Sequence, residues 1–227
     1  MNWLRTIVFR TLFYLLSVPI VLTTPIAVLF GQRALIAHAD RWSRLHRVLM
    51  RGILGIVPRV EGEVPAGQFL YVAKHEAMYE TLELQLILGS PAMVLKRELM
   101  RIPLWGWAAV RYGALVVDRE ASSRALRALM REGAAVRATG RSVIVYAEGT
   151  RVRHGERPAL RSGFAGLYKA LDLPVVPIAL NSGSLLPRRG AKRPGVVTFR
   201  IGAPIPPGLP RREIEARVHA AINALND

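Results

Sequence analysis

The stretch Tyr71-Val72-Ala73-Lys74-His75-Glu76-Ala77-Met78-Tyr79-Glu80 joins an apolar run, 69–73, to an apolar-periodic run, 82–88. The first reads as a short strand and the second as a helix, so the histidine falls in the turn between them. Five residues of continuous helix turn about 500°, which would leave His75 and Glu80 about 140° apart. They meet only if His75 sits on the loop before the helix and Glu80 reaches back from its first turn. That arrangement suits a general base: a neutral imidazole whose one ring nitrogen is oriented by a carboxylate, which also stabilises the imidazolium that forms. The same two residues also describe an ordinary loop histidine followed by a favourable first-turn acid, so other parts of the chain must decide.

Outward from this stretch, short β-prone runs recur at 92–95, 114–117, 142–146, 175–180 and 196–201, with helical patterns at 81–88, 121–139, 164–171 and 211–225. Strands alternating with helices predict an α/β fold, a layered sheet flanked by helices. The Pro/Gly-rich stretch 202–210 is a loop before the last helix. Open α/β folds place their sites beyond strand ends. Four blocks lie there: the opening stretch; Lys96-Arg97-Glu98-Leu99 with Gly113 to Asp118-Arg119; Tyr146-Ala147-Glu148-Gly149-Thr150-Arg151; and Val176-Pro177-Ile178-Ala179-Leu180-Asn181-Ser182-Gly183. In the third, glycine allows close backbone approach, threonine offers a hydroxyl, and arginine can grip a phosphate with two parallel donors. A polar turn with a solvated arginine is the plain alternative. Lys96 and Arg119 could add charge at the same anion.

The N-terminal quarter has a different composition. Residues 11–32 carry no charged side chain and are long enough to span a hydrocarbon core of about 30 Å, but Pro19 and Pro25 argue against one straight helix. A cleaved signal peptide fits less well, since the apolar run is too long and Arg33 precedes the Ala37-His38-Ala39 site. Between 33 and 57, apolar positions alternate with Arg41, Arg44, Arg47 and Arg51, as in a basic amphipathic helix that can lie on an anionic leaflet. Trp3 and Trp42 are candidate interfacial anchors. Residues 1–56 therefore read as membrane-attachment helices and 57–227 as the α/β domain. The net charge of +16 over 227 residues admits a nucleic acid, an anionic membrane or an anionic substrate as partner. No nucleic-acid module is visible, and aromatics are not interleaved with the basic residues. With no cysteine there is no thiol nucleophile or disulfide framework. The five histidines, 38, 46, 75, 154 and 219, show no short metal-ligand pairing. His38, His46 and His219 read as structural, and His154 as a loop neighbour of Arg151.

Taken in order, His-x4-acid, Gly…Val-Asp-Arg, Glu-Gly-Thr-Arg and Val-Pro-Ile resemble the four blocks of the glycerolipid acyltransferases, most of all the bacterial 1-acylglycerol-3-phosphate acyltransferases. The blocks run from His75 to Gly183, about half the chain, and the apolar N-terminus is similar to the family's membrane-docking helices. The resemblance implies catalytic roles for His75 and Glu80, and substrate binding by Lys96, Arg119, Glu148, Gly149, Thr150 and Arg151. It implies no cofactor and no metal, with an acyl-CoA or acyl carrier protein thioester as co-substrate. The implied acceptor is lysophosphatidic acid, converted to phosphatidic acid in phospholipid biosynthesis at the cytoplasmic face of a cell inner membrane, through monotopic attachment. Rivals are another lysolipid acceptor such as lyso-ornithine lipid, and a non-catalytic peripheral membrane protein. Three departures from the family pattern put the acceptor in question: Glu80 for aspartate, Lys74 for asparagine, and Tyr146-Ala147 for Phe-Pro.

Overall fold

The computed structural model describes residues 1–102, 104–117 and 123–226, and side chains except those of Val117 and 123–130. Arg119, expected to bind substrate, and Asp118 lie outside the described residues. The chain opens with α1 (Asn2–Leu29) and α2 (Gln32–Leu49), which runs on into a π-helical turn, Met50–Leu54. The strands are β1 (Ile56–Glu61), β2 (Leu70–Ala73), β3 (Ala92–Lys96), β4 (Leu115–Val117), β5 (Val143–Val145), β6 (Val175–Leu180) and β7 (Gly195–Ile201). The remaining helices are α3 (Tyr79–Ile87), α4 (Trp105–Tyr112), α5 (Ser123–Ala138), α6 (Gly163–Leu171), α7 (Ser182–Leu185) and α8 (Arg211–Ile222). The strands form one sheet in the order β1-β7-β6-β2-β5-β3-β4. All pairings are parallel except β6 with β7, so β1 and β7 run against the other five.

β2 sits in the middle, between β6 and β5, and all four of its residues are buried. Successive side chains of a strand point to opposite faces. Tyr71 and Ala73 accordingly enter the core under α1 to α3, with Ile144, Val176, Ile178 and Phe199. Leu70 and Val72 enter the other core, with Phe164, Leu167, Leu171, Ile214 and Val218 from α6 and α8. This two-sided burial makes 69–73 a continuous apolar run. β1 was not among the expected strands. It holds Pro58 and Arg59 and pairs only with β7, and an edge strand is where proline costs no ladder hydrogen bond.

α1 differs from expectation too: it continues through Pro19 and Pro25 as one helical run. Hydroxyls occupy carbonyls near the prolines, Thr23 Oγ1 donating to Pro19 O at 2.7 Å and Thr24 Oγ1 to Ile20 O at 3.0 Å. At 1.5 Å per residue its 28 residues extend about 42 Å, long and apolar enough to cross a bilayer. Its amphipathicity is inverted. The inner stripe, Thr6, Phe9, Phe13 and Ser17, contains two hydroxyls, whereas Leu4, Ile7, Leu12, Leu15, Leu22 and Leu29 are exposed. Such an outward apolar face belongs against lipid. The inner face is stitched to the rest of the chain: Arg5 Nε donates to Ile53 O (2.5 Å), Trp42 Nε1 to Ser17 Oγ (2.8 Å), and His38 Nε2 to Ile20 O (2.8 Å). Phe9 and Phe13 lie in the same core cluster as Tyr71 and Phe199.

α2 carries exposed Arg33, Arg41 and Arg44 on one side and buries Leu35, Ser43 and His46 on the other. Its Arg47 reaches the buried Glu83 of α3, Nη2 to Oε1 at 2.6 Å. His46 is packed edge-on against Phe13 (ring centroids 5.0 Å) and near Tyr79 (5.9 Å). Burial pulls its pKa from 6.5 down to about 4. The unfolded chain therefore takes up this proton more readily than the folded one between those values. Stability from this residue is complete above about pH 6.5 and is lost as pH falls towards 4, a span worth about 3 kcal/mol. Replacing His46 by Phe should flatten that part of the profile in denaturant unfolding of the detergent-solubilised protein. A variant with the full wild-type pH slope would place the acid sensitivity elsewhere.

Candidate active site

His75 follows the buried end of β2 on a short loop, and Glu80 is the second residue of α3. The turn between them folds the chain back, so that His75 Nδ1 lies 2.9 Å from Glu80 Oε1. The same oxygen accepts the backbone N–H groups of Glu76 and Ala77, each at 2.6 Å. Oε2 accepts the hydroxyl of Ser182 at 2.8 Å. A carboxylate oxygen that takes two N–H donors carries no proton itself, so His75 Nδ1 donates, and in the neutral ring this leaves the lone pair on Nε2. The Glu80 carboxylate is fully buried, whereas the His75 side chain is 16% exposed. The extra methylene of glutamate has a visible use: from the first turn of α3 the carboxylate reaches back to two amides of the loop as well as to the imidazole.

The third and fourth blocks converge on this loop because β5 and β6 flank β2 and end on the same side of the sheet. From the end of β5, the Tyr146 ring lies against the imidazole (centroids 4.4 Å apart, planes at 32°), and its hydroxyl donates to Glu80 O at 3.3 Å. Burial and then the nearby Glu80 charge raise the Tyr146 pKa well above its ordinary value, so it stays a neutral donor. Val152 N–H donates to His75 O at 2.8 Å. Gly149 turns the chain at φ +68°, where a side chain would also crowd Arg161. Thr150 and Arg151 follow, both exposed.

Glu148 behaves differently from its expected role in substrate binding. Its side chain is fully buried, Oε2 accepting His75 N–H at 2.9 Å and Oε1 lying 2.8 Å from Lys74 Nζ. Burial raises its pKa, opposed by Lys74 and by the His75 amide. Lys74, whose presence suggested a change of acceptor, is also completely buried; its ammonium donates to Asn223 Oδ1 (2.7 Å) and Glu156 O (2.5 Å). Both groups hold the His75 backbone and tie β2 to the C-terminal helix, and neither is open to a ligand. Lys96 ends β3, on the far side of β5 from β2. Arg151 lines a cavity of about 140 Å³ whose other walls include Glu76, Met78, Tyr79, Arg188 and Lys192; Lys96 does not reach it.

A second histidine–carboxylate pair lies beside the first. His154 Nδ1 is 3.0 Å from Glu76 Oε1, and Glu76 Oε2 accepts Gly183 N–H at 2.6 Å. A Cβ at Gly183 would stand 3.0 Å from that oxygen, which accounts for the glycine. Burial raises the Glu76 pKa, against the pull of Gly183 N–H and His154. Glu76, Ser182, Tyr146 and His154 were not singled out as site residues. Ser182 could have been found, since it follows a strand and stands within the fourth block. The Glu76–His154 pair spans 78 residues and left no mark in the spacing.

The family profile described as Acyltransferase matches residues 57–181, just over half of the chain and the span holding His75, Glu80, Tyr146, Glu148 and Arg151. The chain belongs to the acyltransferase family. It is 34% identical over 166 residues to a 1-acyl-sn-glycerol-3-phosphate acyltransferase of Pseudomonas aeruginosa, a match covering 72% of this chain and 65% of that protein. A coconut (Cocos nucifera) protein of the same name is 29% identical over 70% of this chain and 53% of its own length. The chain thus spans somewhat under two thirds of the first relatives it matches. The crystal structure of the 1-acyl-sn-glycerophosphate (LPA) acyltransferase PlsC from Thermotoga maritima shares the fold, with a TM-score of 0.76 over 99% of this chain and 96% of that one, at 22% identity.

Removing one member of the buried Lys74–Glu148 pair leaves a charge without a partner, which costs about 3–5 kcal/mol. Lys74→Met should lower unfolding stability by that order, and the double variant Lys74→Met/Glu148→Gln should regain a large part. A double-variant loss equal to the sum of the Lys74→Met and Glu148→Gln losses would mean that the pair is not coupled.

Proposed function

We propose that the protein transfers a fatty acyl group from an acyl thioester to the free hydroxyl of lysophosphatidic acid, forming phosphatidic acid. The observation that carries this reading is the oriented His75–Glu80 pair, held by the third and fourth blocks in a chain of the acyltransferase family. The names of the Pseudomonas and coconut relatives supply the acceptor class. Lys74, one of the three departures that put the acceptor in question, is buried and part of the scaffold.

In this reading His75 Nε2 takes the proton of the acceptor hydroxyl while that oxygen attacks the thioester carbonyl carbon. Glu80 keeps the other ring nitrogen protonated and stabilises the imidazolium. Collapse of the tetrahedral intermediate breaks the C–S bond, and the imidazolium returns the proton to the departing thiolate. With no cysteine in the chain, the transfer runs directly to the acceptor without a cysteine-bound acyl intermediate. Acyl-CoA or an acyl carrier protein supplies the thioester. α1 lies along the cytoplasmic face of the inner membrane as a monotopic anchor, its outward leucines and isoleucines in lipid.

Purified protein in detergent micelles, assayed with both thioesters against several lysolipids, tests the reading directly. His75→Ala should cut kcat by about 10²–10⁴-fold, the usual worth of a positioned general base, with the fold intact by circular dichroism. Glu80→Gln should fall in the same range, since an amide presents the wrong donor pattern to the imidazole and to Ser182. Near-normal turnover by His75→Ala would remove the base assignment.

A further inference from the structure

The cavity lined by Arg151 lies between α1 and the head of α3. Its walls come from Phe9 of α1, His46 and Met50, residues 76–79 directly after His75, and Leu186, Arg188 and Lys192 of the β6–β7 connection. That connection is fastened onto the membrane-facing helix: Lys192 N–H donates to Thr6 Oγ1 at 2.9 Å, and Lys192 Nζ bonds Pro187 O. Lys192 is half-buried, and Arg10 of α1 and Arg151 both act on its charge. Burial first, and then these two guanidinium groups, pull its pKa below the ordinary lysine value.

Among the described residues no carboxylate forms an ion pair with Arg10, Arg151, Arg188 or Lys192. The one acidic side chain in the wall, Glu76, is already bound to His154 and Gly183. Like charges gathered at a concave, partly dry surface repel one another and favour an anion between them. Two polar atoms in the wall are likewise unanswered: Tyr79 Oη and His46 Nδ1 are buried and have no hydrogen-bond partner. Burial keeps Tyr79 protonated and His46 neutral at pH 7, so both can serve an uncharged or anionic oxygen. The volume of about 140 Å³ exceeds what one water occupies, about 30 Å³, several times over.

We propose that Arg188 and Lys192, together with Arg151, hold the phosphomonoester of the acceptor in this cavity and thereby select a phosphate-bearing lysolipid. The proposal rests on the acyl-transfer reading above and adds residues outside the four blocks to the acceptor site. The phosphate enters beside α1, at the depth of lipid headgroups, while the glycerol hydroxyl points along residues 76–79 towards His75. Arg151 lies one residue before Val152, whose amide holds the His75 carbonyl, so the phosphate grip and the base share one piece of backbone.

The test uses the full chain in detergent micelles, with Arg188→Gln, Lys192→Gln, the double variant, and Lys192→Arg as the charge-conserving control. Each lost charge should raise KM for lysophosphatidic acid by about tenfold with kcat and the donor KM little changed, and Lys192→Arg should stay near wild type. Arg188→Gln carries most weight, since Arg188 is exposed and its loss cannot loosen the loop through the Lys192–Pro187 bond. If the protein acylates lysophosphatidic acid and the variants keep its KM, the inference falls while the proposed function stands. A rise in the thioester KM alone would assign the cluster to the donor's phosphates. Loss of sedimentation with phosphatidylglycerol vesicles at unchanged micellar KM would assign it to the membrane surface. Either overturns the inference. Calorimetry on His75→Ala with a short-chain lysophosphatidic acid separates binding from turnover. If the protein acylates some other lysolipid, about tenfold weaker binding in the double variant keeps the anion site while the functional reading fails. No binding removes the site.

Discussion

The Glu80 carboxylate is the contact on which the rest of the site depends. It sits without solvent at the head of a helix and receives the imidazole of His75, two loop amides and a serine hydroxyl from the end of β6. A buried carboxylate lacking these donors would carry a large desolvation cost, whereas here three donors come from the loop after β2 and one from the end of β6, two segments that must be in place together. One interaction thus orients the base, closes the loop after β2 and joins it to β6. The helix N-terminus adds a favourable field for the same negative charge.

Around it the other blocks act mainly on backbone. Glu148 takes the amide of His75, Val152 takes its carbonyl, and Tyr146 supports its ring. Lys74 neutralises Glu148 and extends the hold to Asn223 beyond α8. Glu76 of the first block binds both His154, just beyond the third block, and Gly183 of the fourth. Most of the acidic and histidine side chains in the blocks are therefore spent on rigidity, which fits a catalyst whose reacting groups must be held before substrate arrives. The cations that face outward, Arg151, Arg188 and Lys192, are left for a ligand.

α1 and α2 belong to this economy of placement. Arg5, Trp42 and His38 pin α1 through its inner stripe, and Phe9 and Phe13 enter the core beneath the sheet. The lipid-facing surface and the cavity beside His75 are then two sides of the same helix. Under the proposed function, a lysolipid acceptor with its chain in the bilayer and its headgroup at the surface would reach such a cavity, beside a helix that lies on the membrane, without leaving the membrane.

From residues alone, the alternation of strands and helices, the strand at 69–73, the base on a loop and the reach of Glu80 were all readable, because local periodicity and short-range geometry determine them. The apolar outer face of α1 was readable as composition, although its passage through two prolines depended on threonine hydroxyls nearby. Edge strand β1 was hidden, since a strand with proline is recognisable only once it is known to lie at an edge. What tertiary structure alone decided is the work of each charged side chain. Lys74 reads in the sequence as a departure bearing on the acceptor and Glu148 as a substrate-binding residue, yet both are core, because β2 and β5 run side by side. Arg188 and Lys192 fall outside the four blocks and line one cavity with Arg151, where Thr6 holds their loop against α1. Burial and long-range pairing set the roles of charges, and neither is written in local spacing.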